Sequence, residues 1–413
     1  MILNVITGFQ IKGRGDLISM KKIRWVCGAF FVLSMIFISP NAYSQMNLNS
    51  MLMPYLSEYE LPAIAACFVK DGKIVASGVA GVRKTGTNIP VTINDKFHIG
   101  SDTKAFTALL AAMLVEEGKL SWHTTIGEVF LELSEDMDKG VRQVTLEQLL
   151  SHTSGIPTDN EEIFNVYREA MLQEGNLDEM RYGLVKKWVK KPLTFQPGSQ
   201  FAYSNMGYTI AGAMIERRAK KTWDELIVEC FFTPLKLKTA GLGPQASLGK
   251  IDAPLGHMII NGKTKAFLSG PNGDVPPLLG PAGIAHMSIL DFARWASWNA
   301  GKGRRAPYLV KPGTLKKLHT PVIDVSPIKD TPPGTPPRGK YCLGWGETTP
   351  DWAQKPILSH AGSNGMNLAH IWIDTEEDYA MVLTTNIGGK KADDALRAVA
   401  KELYERYEKK SKR

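Results

Sequence analysis

FHIGSDTKAFTALLAAMLVEEGKL, residues Phe97–Leu120, is the stretch on which the fold turns. FHIG is apolar and β-favouring, whereas from Thr103 to about Gly118 the apolar residues Phe106, Leu109, Leu110, Met113 and Leu114 recur at helical spacing, with Gly118 as a stop. A strand enters and a helix leaves. The helix is apolar on several faces, which predicts a central, buried position. Ser101 then lies at or near the first helical turn, where unpaired N–H groups and the helix dipole favour negative charge, and Lys104 lies one turn along over the same face. A lysine desolvated by apolar neighbours gives up its proton more easily and can serve as base to a serine hydroxyl, which is otherwise a poor nucleophile.

The pattern S-x-x-K is weak by itself. It occurs four times, at Ser19/Lys22, Ser101/Lys104, Ser247/Lys250 and Ser326/Lys329, where the Ser and Lys content alone gives about two. Context separates them: Ser19 lies in an N-terminal leader, Gly249 and Pro327 place two others in loops, and only Ser101 precedes a buried helix.

Upstream, AIAACFVKDGKIVASGVAG reads as two strands around the hairpin signal Asp71-Gly72. Residues from about 120 to 280 alternate helical patterns with Gly- and Pro-rich loops and hold few strands. Strand character returns in YCLGWGE, KPILSHAG, NLAHIWID and YAMVLTTNIG, before a helix from about Ala392 to Tyr407. Strands at both ends and helices between predict an α+β fold: one antiparallel sheet built from both chain ends with flanking helices, and an inserted, mainly helical region. The Pro-rich SPIKDTPPGTPPRG (Ser326–Gly339) reads as an exposed loop of the same domain, so residues 45–413 are expected to form a single catalytic domain.

The composition of the 413-residue chain, 44% hydrophobic and 22% charged, is globular. Residues 1–44 differ: Lys21, Lys22 and Arg24 precede the apolar run WVCGAFFVLSMIFI, and small residues follow at Ala42-Tyr43-Ser44, the pattern of a secretory signal, with a possible translation start at Met20. The expectation is a periplasmic or secreted protein, with an N-terminal membrane anchor as the alternative should the signal stay uncleaved. The leader carries five basic residues and one acid, so without it the formal charge falls from +8 to +4. No basic block interleaved with aromatics points to nucleic acid, and the tail KKSKR reads as a solvated end. Cys67, Cys230 and Cys342 are odd in number and widely spaced, which argues against a disulfide framework, and Cys67 and Cys342 read as small buried hydrophobes. No metal-ligand spacing is present, so neither a metal nor another cofactor is expected.

Two further motifs follow the first. PGSQFAYSNMGYTIAG places Tyr203-Ser204-Asn205 after a Pro197-Gly198 turn and before a helix, and PILSHAGSNG ends a strand at His360-Ala361-Gly362. Ser-x-x-Lys, Tyr-x-Asn and His-x-Gly in this order resemble the three motifs of the serine β-lactamase-related hydrolases, which include class C β-lactamases, D,D-peptidases, D-aminopeptidases and related esterases. LLSHTSGIP (Leu149–Pro157) and PAGIAHMSILDFARW (Pro281–Trp295) also resemble that family, and the likeness covers roughly residues 50–405. It implies a β-lactamase/transpeptidase-like fold, Ser101 as the acylated nucleophile, Lys104 as its base and Tyr203 in the proton traffic. It further implies Asn205 on Lys104 and the substrate, His360 facing the leaving group or a substrate carboxylate, and an oxyanion hole from the backbone N–H groups of Ser101 and Ser363. Gly362 is expected to keep the strand edge open for substrate, and Asn205 also reads as a helix N-cap. His152, among turn-forming residues, reads as structural, and His98 and His286 as packing residues.

No G-x-S-x-G occurs, so the nucleophile elbow of α/β-hydrolases is absent, and neither Ser-Asp-Asn nor Lys-Thr-Gly stands where a class A β-lactamase would have them. A histidine in place of the third-motif lysine is only partly charged at neutral pH, which favours an esterase or peptidase on small ester, amide or D-amino-acid peptide substrates. The competing expectations are a β-lactamase or D,D-carboxypeptidase, and a non-hydrolytic penicillin- or peptidoglycan-binding protein.

Overall fold

The structure, a computed structural model, describes residues 45–172, 174–268, 274–325 and 339–409. Residues 1–44, where the secretory signal is expected, and Ser326 to Arg338 of the Pro-rich stretch lie outside the described residues. The strands are β1 (Met46–Asn47), β2 (Ala63–Lys70), β3 (Lys73–Gly81), β4 (Lys96–His98), β5 (Gly241–Leu242), β6 (His257–Ile260), β7 (Lys263–Ala266), β8 (Ala285–Ser288), β9 (Ile323–Val325), β10 (Gly339–Tyr341), β11 (Gly346–Thr348), β12 (Ile357–Ser363), β13 (Leu368–Asp374) and β14 (Tyr379–Thr385).

Asp71 and Gly72, at φ +48° and +79°, make the two-residue turn joining β2 to β3, whose positive dihedrals match the strands' right-handed twist. The hairpin then meets the far end of the chain. β2 pairs antiparallel with β14, Ile64 opposite Thr385, within a sheet of order β1-β3-β2-β14-β13-β12-β11-β10-β9. The chain therefore has the α+β architecture that the alternation of elements predicted.

Alternation along β2 explains how both faces are buried. Ala63, Ala65, Cys67 and Val69 join one core, while Ile64, Ala66 and Phe68 join another. The second core is closed by Leu52 of the Asn49–Glu58 helix and by Ala392, Leu396, Val399 and Leu403 of the Lys390–Tyr404 helix, which recur at three- and four-residue intervals. Over the first core lie the Ile289–Ala300 helix and, beyond it, the Lys104–Glu116 helix, whose Phe106 ring stacks on Trp295 at 3.9 Å. Burying the Val, Leu, Ile and Phe side chains among them contributes about 1.5–3 kcal/mol each. The C-terminal helix starts two residues earlier than expected and runs on as a π turn over Glu405–Lys409.

The inserted region is mainly helical, with Glu161–Met171, Leu177–Trp188 and Asn205–Ala219 its longest helices. It also holds strands that the sequence reading passed over. Asn261-Gly262, at φ +52° and +71°, turns β6 into β7, and the same Asn-Gly signal was there to be read. β8 pairs with β4, Phe97 opposite Met287, in a small sheet of order β4-β8-β5. This small sheet delivers the chain to Ser101. No helix among the described residues is long and apolar enough to cross a membrane.

Candidate active site

β4 ends at His98, the Ile99 N–H donates to Ala285 O at 2.9 Å, and a tight 3-10 turn over Gly100–Thr103 runs straight into the Lys104–Glu116 helix. Thr103 Oγ1 ties the turn on both sides, donating to Gly100 O at 2.7 Å and accepting from Ala285 N at 3.1 Å. The end of β12 presses directly on this turn. A Cβ on Gly362 would overlap Ile99 O and lie 2.6 Å from Ser101 N and 2.9 Å from Asp102 N, and one on Gly100 would overlap Ser363 N. The backbone amides of Ser101 and Ser363 are thus neighbours. The reason for glycine at 362 differs from the expectation: a side chain there would strike the protein's own Gly100–Thr103 turn, whatever it did to a substrate.

Lys104 is fully buried, and its surroundings define what its amine can do. Nζ lies 2.7 Å from Asn205 Oδ1, 2.7 Å from Ala282 O and 3.0 Å from Ser101 Oγ. The first two are carbonyl oxygens and can only accept. A neutral amine spends its two N–H bonds on them and turns its lone pair to the Ser101 hydroxyl. Burial lowers the lysine's pKa to about 7, against the opposing pull of Asp159 and Asp102. Sequence reasoning had no signal for Ala282 O, because any residue supplies a carbonyl.

Tyr203 stands over this amine, its ring centroid 4.7 Å from Nζ, and Tyr208 lies behind at 5.3 Å. Burial pushes the Tyr203 phenol well above its ordinary range, outweighing the lowering by its approach to Ser101, so the neutral phenol is the resting form. The helix that follows is capped by Ser204, whose Oγ accepts from Gly207 N at 3.2 Å; Asn205 is the first helical residue and not the cap expected of it. Its side chain is free to serve the site. Asn205 Nδ2 donates to Asp159 Oδ2 at 2.7 Å, a partner the sequence reading missed because Asp159 follows Thr158 in an unpatterned loop.

His152, read as structural, is tied into the fold through one ring nitrogen. At φ +59° it accepts from Ser204 N on Nδ1 at 3.0 Å, and its ring packs 4.2 Å from that of Tyr203. His98 does more than pack: Nδ1 accepts from Gly100 N at 3.1 Å, and Nε2 lies 3.2 Å from Asp274 Oδ1. Asp274 also accepts from Asn364 Nδ2 at 2.9 Å, next to Ser363. His286 is buried with Nδ1 2.8 Å from Gly243 O, and burial lowers it to about 4.

His360 departs most from its expected place. Its side chain is completely buried, with Nδ1 3.0 Å from Ala361 O and Nε2 3.1 Å from the Tyr341 hydroxyl. A carbonyl only accepts, so Nδ1 carries the proton and Nε2 accepts from tyrosine. Burial, then the charge of Lys104, lowers the imidazole to about 3. It is neutral at pH 7 and offers no charge to a substrate carboxylate. Asp102, also buried, approaches His360 Nδ1 only to 3.5 Å, and burial raises its carboxyl well above the usual range. Among the described residues no group of three or more His, Cys, Asp or Glu is placed to hold a metal ion.

The family model described as Beta-lactamase matches residues 48–405. The chain belongs to the Beta-lactamase family. Within curated proteins, this Beta-lactamase family chain is similar to penicillin-binding protein 4 of Amycolatopsis lactamdurans, 25% identical over 80% of this chain and 82% of that protein. It is also similar to Protein flp of Staphylococcus aureus, 22% identical over 84% of this chain; the chain spans only 64% of that relative's length. Among solved structures, the octameric penicillin-binding protein homologue from Pyrococcus abyssi aligns at TM-score 0.70 and 24% identity, over 86% of this chain and 76% of that one. A D-stereospecific amidohydrolase from Streptomyces sp. aligns at TM-score 0.64 and 20% identity, over 84% and 98%. At these identities the structural likeness establishes the Beta-lactamase family fold and nothing finer.

Proposed function

We propose that the protein is an exported serine hydrolase that works through an acyl-enzyme on small neutral esters, amides or D-amino-acid peptides. The observation that carries this reading is the Lys104 amine, committed to two carbonyl oxygens and turned to Ser101 Oγ at 3.0 Å. In the first step the Ser101 proton passes to Lys104 as Oγ bonds to the substrate carbonyl carbon. The resulting oxyanion accepts hydrogen bonds from the N–H groups of Ser101 and Ser363. Collapse breaks the bond to the leaving group, which takes a proton relayed from Lys104 through the Tyr203 phenol. Water then attacks the acyl-enzyme, giving a proton to the same base, which returns it to Oγ as the ester bond breaks and frees the acid and Ser101. Asn205 orients the base and meets the substrate's amide or ester side.

The buried, neutral His360 supports neutral substrates over carboxylate-bearing ones. Likeness to penicillin-binding protein 4 favours a second reading, in which a β-lactam acylates Ser101 with slow or no turnover. Export rests on the leader of residues 1–44, and cell fractionation tests it.

A fluorophosphonate probe is expected to label the wild-type protein and to leave Ser101→Ala unlabelled. Lack of Ser101-dependent labelling would sink the hydrolase reading. Turnover of p-nitrophenyl acetate, a D-amino-acid amide and nitrocefin, compared side by side, separates the substrate classes. Lys104 must be unprotonated to act, so kcat/KM is expected to fall as pH drops through about 7.

A further inference from the structure

A hydrogen-bond chain runs inward to Ser101 from the loop before the Glu161–Met171 helix. The Tyr167 hydroxyl donates to Asp159 Oδ1 at 3.1 Å, Asn205 Nδ2 donates to Asp159 Oδ2 at 2.7 Å, and Lys104 donates to Asn205 Oδ1 at 2.7 Å. One link sets the direction of all the others. A carboxylate only accepts, so Asn205 must turn its NH2 to Asp159 and its carbonyl to Lys104. With the amide flipped, an N–H would face Nζ, and the amine would have to turn its lone pair from Ser101 to receive it.

We propose that Asp159 is a positioning residue for the base: it locks the Asn205 amide, so that Lys104 keeps its lone pair on Ser101. The inference rests on Lys104 being the base of the reaction proposed above. Asp159 is itself fixed in place. The next residue, Asn160, caps the helix by accepting from Ile163 N at 2.9 Å, and Tyr167 of that helix reaches back to the carboxylate.

Of the other groups facing Lys104, only Asp102 also raises the lysine's affinity for a proton, and less than Asp159 does. Asp102, from its own turn, is buried with its carboxyl pushed up; Tyr203 and Tyr208, from the loop and helix opposite, are phenols raised by burial. His152 and His360, from the Leu149–Pro157 loop and β12, are both lowered by burial and neutral. Asp159 is partly buried and accepts on both oxygens, the pattern of a carboxylate. Its charge raises the lysine's affinity for a proton, opposing burial.

The sign of the effect follows directly. Removing the charge disfavours the ammonium form, so in Asp159→Asn the lysine loses its proton at lower pH, by roughly half a unit to one unit. The acid limb of kcat/KM moves down by the same amount, while the plateau falls by about tenfold because the amide is no longer held one way round. Tyr167→Phe, which disturbs the same loop but keeps the carboxylate, leaves the limb in place. The Lys104 ε-carbon resonance, followed by NMR in 13C-lysine protein and assigned by its loss in Lys104→Met, reads the same titration without turnover. An unmoved titration in Asp159→Asn, or an equal shift in Tyr167→Phe, overturns the proposal. A shifted titration in a protein that hydrolyses nothing sustains the role of Asp159 and overturns the reaction instead.

Discussion

Lys104→Met turns over at least about a thousandfold more slowly than wild type, and its stability loses a pH dependence that the wild type carries. The two effects have one cause. In the folded protein Lys104 gives up its proton near pH 7 because it is buried; in the unfolded chain it keeps it to about 10.4. Between these values unfolding takes up a proton. Wild-type stability therefore gains about 1.4 kcal/mol per pH unit from this residue as pH rises through that window, and below it the full cost of the buried amine is present. Methionine removes that cost but strands Asn205 Oδ1 and Ala282 O, at about 1–3 kcal/mol each. At neutral pH these terms are of similar size, so the absolute stabilities lie close together. The informative measurement is urea unfolding from pH 7 to 10, where the difference between wild type and variant shifts steadily in favour of wild type. Parallel curves would show that the lysine is charged in the fold.

Gly362→Ala damages both stability and activity. The added methyl would overlap Ile99 O and stand 2.6 Å from Ser101 N, and all these neighbours are backbone atoms, so no side chain can swing aside. Either β12 or the Gly100–Thr103 turn must move. The expected loss is about 3 kcal/mol or more. A displacement of about 1 Å at Ser101 lowers kcat by about a hundredfold even in the fraction that folds. Gly313→Ala is the control, because its Cβ meets open space within a short helix, and it is expected to change stability by no more than about 1 kcal/mol in the favourable direction. Thermal unfolding and esterase kinetics on the three proteins check both statements. A Gly362→Ala protein with wild-type kinetics would mean that the turn and the strand are not held as tightly as their spacing indicates.

What the sequence disclosed was whatever local periodicity encodes. Asp71-Gly72 between apolar runs announced its hairpin, and FHIG before a helical repeat placed Ser101 at a strand-to-helix turn. Asn261-Gly262 carried the same turn chemistry and was passed over because the surrounding region read as helical. The site was legible as three short motifs, but its wiring was not. Ala282 contributes a carbonyl, which has no sequence signature. Asp159 reaches Asn205 across 46 positions from an unpatterned loop. His360 kept its place in a motif while its environment changed its character: the unperturbed imidazole is partly charged at neutral pH, and burial leaves it uncharged. Burial of a single side chain is a property of the assembled molecule and cannot be read from its neighbours in the chain.

The pairing of β2 with β14 sets a condition on when the candidate site is assembled. Ile64 finds its partner at Thr385, and the Thr385 hydroxyl donates to Ala63 O across 322 positions. Ser101 is synthesised well before β13 and β14, the strands that hold the Ser363-bearing strand in the sheet. Contacts of such long range form slowly, because the intervening loop must close before they bring any stabilisation. The growing chain thus carries Ser101 and Lys104 long before the rest of the candidate site exists, and the site is complete only once β12, β13 and β14 have docked.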